Sequence, residues 1–365
     1  MQMTRRSFVA GAVSFCGSGM LRAGAQDCPM FKGVNYGFYA RNGYFSSPQA
    51  RKDVEEMAAL GIQWVCLIIT VMQESFASTR TFRDFTNTPG DDEIMDIVKQ
   101  FHEKGIRVML RPMIECWDGT QRCHLHLPEG EIFPDRPFAY RSKWFENYTA
   151  LTRHYARIAA RTGCEAYGMD SELNPLAPFT KYWLPVVDEL RKVYKGHVTA
   201  SFIETQKFMN FAKDPNHWFH AIDSLGTSMY APATDRAGST VEEMAERIMR
   251  DTVPQCRAFA KAYGKPFYHG ECGCCSVAGA AKLPYFWANG GGYDGQEQAN
   301  YMSAVIRAFS QESWWRGMLW WKWDEQNDRP NMRDDPAGDK GFVIRSKPAA
   351  EVMRRWCASG ATCAI

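Results

Sequence analysis

The chain is organised around the stretch KPFYHGECG at residues 265–273. A short apolar and aromatic run follows a Gly-Lys-Pro turn and ends on one carboxylate, Glu271, with glycine and cysteine close behind. This pattern predicts a buried strand that delivers Glu271 to its C-terminal end, where a loop begins. A second stretch of similar design, EAYGMDSELNP at residues 165–175, carries Glu172 at the exit of its own predicted strand.

Strands and helices alternate along the rest of the sequence. Further strands are predicted at 31–38, 62–70, 106–112, 197–202, 222–229 and 317–323, and helices at 48–60, 91–104, 143–161, 179–194, 240–263, 294–311 and from 348. Eight strands with helices between them favour a (β/α)8 TIM barrel in a single domain with extended βα loops. A doubly wound open sheet is the alternative, but GVNYG at 33–37 is a poor match to the glycine-rich phosphate turn of that fold.

The first 25 residues resemble an export signal. TRRSFV at 4–9 is a twin-arginine pattern, an apolar stretch follows at 8–15, and AGA at 23–25 is a small-x-small cleavage site. We therefore divide the chain into a signal peptide at 1–25 and a mature catalytic domain at 26–365. These features predict a bacterial protein that is periplasmic or secreted.

Charge and hydropathy exclude two classes of partner. Loss of the three leader arginines changes the formal net charge from +2 to −1, and no basic stripe indicates nucleic-acid binding. No stretch approaches the ~20 apolar residues of a membrane span. We expect the protein to be a monomer. The chain has 365 residues before processing, and its 13% aromatic content includes 12 Trp and 15 Tyr. A large core explains most of these rings, but those near strand ends also suit stacking on sugars.

The cysteines leave several pairings open. Cys116 with Cys123, and Cys357 with Cys363, could each close a short loop, although spacing alone does not fix connectivity. The cluster CGCC at 272–275 could bind zinc, but no second C-x-x-C accompanies it, so packing or disulfide roles are favoured. No metal and no cofactor are expected.

In a (β/α)8 barrel the active site lies at the C-terminal ends of the strands. Two carboxyl groups roughly 5–5.5 Å apart are the machinery of a retaining glycosidase, and their repulsion keeps one of them protonated. Glu172 and Glu271 are the candidate catalytic pair. Other polar and aromatic residues are also predicted at these strand ends and are candidates for substrate binding. They are Asn35 and Tyr36 on the first strand, Arg111 on the third, Tyr230 after the sixth, and Trp321 with Trp323 on the eighth.

Each of these residues has a functional and a structural interpretation. Arg111 could hold Glu271 ionised, or it could form a buried structural ion pair. Tyr230 could donate a hydrogen bond to the nucleophile, or it could cap the barrel. Trp321 and Trp323 are two residues apart, so on a strand they would face the same way, one beneath a sugar and the other packing the rim.

A long insertion at 113–140 is rich in Pro, His and Trp, and a loop of this length is usually functional. Trp117 offers a stacking ring and His124 a hydrogen-bonding group. His124 and His126 could also bind metal, but no third ligand has suitable spacing. We therefore favour sugar contact.

Taken together, these motifs resemble glycoside hydrolase family 113, the β-mannanases of clan A. The similarity runs from about residue 32 to 350 and comprises RP at 111–112, CWDGTQRCH at 116–124, HYARIA at 154–159, TGCE at 162–165, GKPF at 264–267, ECGC at 271–274, QEQA at 296–299 and WKW at 321–323.

The resemblance implies a (β/α)8 barrel and retaining hydrolysis of β-1,4-mannosidic bonds in mannan or manno-oligosaccharides. It implies Glu172 as acid/base and Glu271 as nucleophile, and favours Arg111, His124, Tyr230 and the tryptophans of the eighth strand as sugar contacts. Ser171 stands where many clan A enzymes have Asn before the acid/base. The alternatives are therefore a glycosidase of the same barrel acting on another β-linked glycan, and a sugar-binding barrel without catalysis.

Overall fold

A closed barrel of parallel strands forms the centre of the computed structural model, which describes residues 28–133, 136–203, 205–288, 290–325 and 338–360. The strands are β1 (Phe31–Tyr36), β2 (Trp64–Gln73), β3 (Thr81–Phe82), β4 (Arg107–Cys116), β5 (Glu129–Phe133), β6 (Arg136–Ala139), β7 (Ala166–Ser171), β8 (His197–Phe202), β9 (Ser224–Met229), β10 (Phe267–Cys272) and β11 (Trp315–Trp320).

The barrel closes because β1 pairs in parallel with both β11 and β2. The order of its eight strands is β1, β11, β10, β9, β8, β7, β4 and β2, while β3 is an antiparallel addition at β2 and β5 pairs with β6 as a separate hairpin. The predicted (β/α)8 barrel in a single domain is therefore confirmed.

Helices connect most of these strands. They are α1 (Pro48–Ala59), α2 (Asp91–Glu103), α3 (Tyr140–Thr162), α4 (Thr180–Val193), α5 (Val241–Asp251), α6 (Val253–Tyr263), α7 (Gly295–Phe309) and α8 (Pro348–Ala358). The single helix predicted at 240–263 is in fact α5 and α6. Pro254 lies in the first turn of α6, where its missing N–H and fixed φ suit a helix start but interrupt a continuous helix.

The sequence determines where these elements begin. The Ser47 side chain caps α1 by accepting a hydrogen bond from the Ala50 N–H at 3.2 Å, and Pro48 follows it as the first helical residue. Every residue of β2 is buried, as a strand covered by helices outside and by the barrel core inside requires.

The interior of the barrel contains a charged side chain, Arg111 of β4, which is completely buried. It fits because two other strands of the barrel, one adjacent to β4 and one not, carry glycine beside it. A Cβ atom at Gly168 of β7 would lie 2.8 Å from Arg111 Nε, and one at Gly270 of β10 would lie 3.3 Å from Arg111 Nη2. This layer supports the mouth of the barrel above it.

The structure also bears on the cysteine and membrane predictions. Cys116 and Cys123 are both free thiols, so the disulfide that their spacing left open is not formed. Cys363 and the predicted signal peptide lie outside the described residues. Within the described ranges, no helix has the length and apolar character needed to cross a membrane.

Candidate active site

Glu172 and Glu271 lie together at the C-terminal end of the barrel. Glu172 directly follows β7, and Glu271 is the residue before the last of β10. Both line a main cavity of about 770 Å³. One nitrogen of Arg122, Nη2, lies 3.1 Å from Glu172 Oε2 and 3.8 Å from Glu271 Oε1, so a single guanidinium contacts both carboxylates.

The backbone of Glu172 has an unusual conformation. Its φ of 58° lies in the left-handed region, which costs a residue with a side chain on the order of 1 kcal/mol. The Glu172 N–H donates to the carbonyl oxygen of Ser201 on β8 at 2.8 Å, which fixes this turn. The chain leaves β7 sharply, and the carboxylate stays in the main cavity.

Glu271 is buried and accepts hydrogen bonds from two neutral donors. Ser171 Oγ donates to Oε1 at 3.1 Å, and the Tyr230 hydroxyl donates to Oε2 at 3.2 Å. The pKa of Glu271 is raised to about 7, first by burial and then by the charge of Glu172, against the positive charges of Arg122 and Arg111, which lower it.

Arg122 contacts both glutamates but was not among the predicted site residues. It lies in the insertion after β4, at the start of a short 3-10 turn, and is buried. Its Nε donates to the carbonyl oxygen of Ser171 at 3.1 Å, and its Nη1 pairs with Glu115 Oε1 at 2.5 Å. The motif around it was visible in the sequence, but nothing in the spacing showed that the loop folds back between the two glutamates.

Three predicted site residues are completely buried and do not line the main cavity: Asn35, Tyr36 and Arg111. Asn35 Nδ2 donates to the carbonyl oxygens of Gly270 and Leu319, and the Tyr36 hydroxyl donates to Asp53 Oδ2 behind the barrel. The prediction placed these side chains against sugar, whereas in the structure they are buried within the fold and away from the main cavity.

Arg111 also differs from its predicted role. Its Nη2 donates to the Tyr268 hydroxyl at 3.1 Å and its Nη1 to the Gly270 carbonyl oxygen at 3.4 Å, whereas the arginine paired with Glu271 is Arg122. Arg111 therefore acts on Glu271 through its charge alone, by lowering its pKa.

The two tryptophans predicted to share a face do not. β11 ends at Trp320, so the residues that follow lack the two-residue alternation of a strand. Trp321 lines the main cavity. Trp323 is buried, and the guanidinium carbon of Arg345 lies 4.8 Å from the centre of its ring.

A side cavity of about 540 Å³ adjoins the main cavity and contains the predicted residue Trp117 in its lining. The two cavities have Phe38, Tyr39, Glu115 and Asp324 in common, so together they form one cleft across the barrel mouth. The exposed His124 lines neither of them.

Two further aromatic residues lie in the loop after β10. Tyr285 and Trp287, here called the rim aromatics, are 57% and 76% exposed and line the main cavity. Large rings left open to solvent beside a cavity are typical of ligand-binding surfaces.

The metal alternative finds no support in the described part of the chain. Cys272 and Cys274 are buried free thiols. Among the described residues, no three His, Cys, Asp or Glu side chains are grouped as metal ligands would be.

With this geometry in place, comparison with known proteins identifies the family. The chain matches Glycoside Hydrolase Family 113 over residues 34–347. It belongs to this family and is a glycoside hydrolase.

Solved structures of this family are similar to the chain. The GH113 β-mannanase AaManA from Alicyclobacillus acidocaldarius is 27% identical, with a TM-score of 0.78 over 92% of this chain and 99% of that one. A second GH113 β-1,4-mannanase is 26% identical, with a TM-score of 0.77 over 91% and 100% of the two chains. Fungal β-1,4-galactanases, at 12% identity and a TM-score of 0.58, share only the fold. A search of curated protein sequences gave no significant match.

Proposed function

We propose that this family member is a retaining glycosidase that hydrolyses β-1,4-mannosidic bonds in mannan or manno-oligosaccharides. The observation that carries the proposal is the convergence of Glu172 and Glu271 on one arginine nitrogen in one cavity. The two similar family structures, described as a β-mannanase and a β-1,4-mannanase, support the substrate.

Glu271 is the nucleophile in this proposal. Its carboxylate oxygen bonds to the anomeric carbon while the glycosidic C–O bond breaks, and the departing oxygen takes a proton from Glu172. Hydrogen bonds from Ser171 and Tyr230 orient Glu271 and favour its ionised form. In the second step, water attacks the anomeric carbon, gives its proton to Glu172 and releases Glu271. This chemistry requires no cofactor.

The cleft supplies candidate sugar contacts beside this pair and in the adjoining side cavity. We assign substrate contact to Tyr230 and Trp321 in the main cavity and to Trp117 in the side cavity, and add the rim aromatics. Flat aromatic rings stack on the apolar faces of sugars, and the surrounding polar groups can bind hydroxyls. A cleft that continues through two cavities fits a chain of several sugars better than a monosaccharide.

Export remains part of the proposal and is supported by the sequence alone, and we retain the expectation of a monomer. The twin-arginine pattern at 4–9 and the cleavage site at 23–25 predict a mature chain beginning at Gln26. N-terminal sequencing of protein from the periplasm and the medium, with gel filtration of the same sample, tests both points. A chain retained in the cytoplasm with residues 1–25 intact contradicts export.

The activity is tested by incubating the purified protein with mannan, xylan, glucan and galactan oligosaccharides. NMR of the first product reports its anomeric configuration. We expect cleavage of the manno-oligosaccharides with retained configuration. Cleavage of another glycan alone overturns the substrate, and an inverted product overturns the mechanism. Binding without hydrolysis of any glycan favours the sugar-binding alternative.

A further inference from the structure

Arg122 is held by four contacts made by its three guanidinium nitrogens. Nε donates to the Ser171 carbonyl oxygen, Nη1 pairs with Glu115, and Nη2 faces both Glu172 and Glu271. A fork with both ends occupied has little freedom to turn, so the position of Nη2 between the two carboxylates is defined by the fold.

The proposed reaction keeps one negative charge on this pair of carboxyl groups. In the resting enzyme Glu271 is ionised and Glu172 protonated. In the glycosyl-enzyme intermediate Glu271 is a neutral ester, and Glu172, having given its proton to the leaving oxygen, carries the charge. The charge thus moves from one side of Nη2 to the other.

We propose that Arg122 is a positioning residue that compensates this charge in both halves of the reaction. The inference rests on the proposed function. At 3.1 Å and 3.8 Å, the same nitrogen reaches either carboxylate without a change of side-chain conformation. Preorganised charge of this kind stabilises charged states with little reorganisation during the reaction.

Glu115 has the opposite effect on the same groups. It is a half-buried carboxylate. Its pKa is raised first by burial, Arg122 opposes this, and the charge of Glu172 adds to it. Glu115 is negative where Arg122 is positive, and the two side chains pair beside Glu172. Removal of Arg122 and removal of Glu115 should therefore shift the titration of the catalytic pair in opposite directions.

Other charged and titratable groups face the pair and remain unchanged in this comparison. They are Arg111 of β4, Asp170 of β7, Tyr230 after β9 and Cys66 of β2.

The test is the pH dependence of kcat/KM for a manno-oligosaccharide. The acidic limb reports ionisation of Glu271, and the basic limb reports loss of the proton from Glu172. Arg122→Met removes a positive charge, so both limbs should move to higher pH by about one unit. Glu115→Gln removes a negative charge, so both should move to lower pH. Arg122→Lys keeps the charge but loses the fork, so kcat should fall with the limbs near their original positions.

Two controls separate this role from a merely structural one. Arg83→Met, at an exposed ion pair with Asp91, should leave the limbs in place. Thermal unfolding shows whether each variant is folded. If Arg122→Met does not fold, the pH shift of Glu115→Gln and the fall in kcat of Arg122→Lys test the proposal instead. Limbs that stay within about 0.3 units in Arg122→Met, or that move the same way in Arg122→Met and Glu115→Gln, overturn the proposal.

A second readout does not depend on turnover. ¹³C NMR titration of the glutamate carboxyl groups, assigned with Glu172→Gln and Glu271→Gln, gives the pKa values directly. A wild-type enzyme that cleaves no glycan contradicts the proposed function, whereas pKa values of the pair that do not change in Arg122→Met contradict the role of Arg122.

Discussion

Ser171 Oγ donates a hydrogen bond of 3.1 Å to Glu271 Oε1, which joins the last residue of β7 to the carboxylate on β10. Ser171 is buried, and its carbonyl oxygen accepts a hydrogen bond from Arg122 Nε. The residue before Glu172 thus contacts both Glu271 and the arginine between the two glutamates. In this chain, the side chain of the residue before Glu172 therefore donates a hydrogen bond to the proposed nucleophile, Glu271.

Ser171→Ala should weaken catalysis by removing a donor to the charged form of Glu271. This hydrogen bond lowers the pKa of Glu271, so its loss raises that pKa and moves the acidic limb of kcat/KM to higher pH. Hydrogen bonds to charged groups contribute about 1.5–3 kcal/mol, so kcat/KM below the shifted limb should fall about 10-fold or more. Steady-state kinetics from pH 4 to 9 measures both effects.

Ser201→Ala is the matched control. Ser201 is also a buried serine on a barrel strand, but its hydroxyl oxygen has no hydrogen-bond partner among the described residues. Its pH profile should match that of the wild type. An equal shift in both variants would mean that repacking of the barrel, rather than the lost hydrogen bond, moves the limb.

The two glutamates should respond differently to removal. Glu271→Ala should abolish turnover of every substrate, because no other group forms the glycosyl-enzyme bond. Glu172→Ala should still react with a dinitrophenyl β-glycoside, whose leaving group needs no protonation, and the intermediate should accumulate because the base for its hydrolysis is missing.

Azide identifies the second step in Glu172→Ala. A small anion enters the space left by the carboxylate and needs no deprotonation, so it should restore turnover and give a β-glycosyl azide. The configuration of that product, read by NMR, is the decisive measurement. An α-azide would mean that the two carboxyl groups flank a water molecule and that Glu271 is a general base.

The rim aromatics should affect long substrates more than short ones. Trp287→Ala removes a stacking surface worth about 0.5–1.5 kcal/mol, so KM for a manno-hexaose should rise about two- to tenfold, while KM for a manno-triose should change little. Phe85→Ala is the control, because Phe85 is 87% exposed but lines neither cavity. An unchanged KM for both chain lengths would place Trp287 outside the sugar path, and an equal rise for both would contradict its role in binding the longer chain.

The sequence predicted the barrel well because local patterns specify its elements. The predicted bounds of the fifth barrel strand, 197–202, are those of β8, and α1 begins at Pro48 as predicted. β2 extends to Gln73, three residues beyond its predicted end. These last residues pair with β4, where Gln73 lies opposite Cys116, and such a distant partner leaves no local signal.

The sequence was less informative about side chains at the mouth of the barrel. It placed Glu172 and Glu271 in one site, because a strand end is a backbone property. It could not show that Asn35 and Arg111 lie below the cavity, since this depends on the tilt of the strands and on the glycines beside them. Arg122 was missed because its position depends on how the insertion folds.

The fit of Arg111 against Gly168 leads to a prediction about stability. Gly168→Ala would place a Cβ atom 2.8 Å from Arg111 Nε and 2.9 Å from its Cγ, with little room for either to move inside the barrel. Overpacking of this kind costs about 1–3 kcal/mol in the free energy of unfolding.

Arg111→Ala should also destabilise the barrel, because it leaves a cavity and removes a charge that offsets Asp170 and Glu271. In the double variant the clashing atoms are absent, so the total loss should be smaller than the sum of the two single losses. Urea denaturation of the four proteins measures this coupling, and Gly292→Ala, which meets no atom within 4 Å, should be neutral. Additivity within about 0.5 kcal/mol would show that Gly168 is not needed to accommodate Arg111.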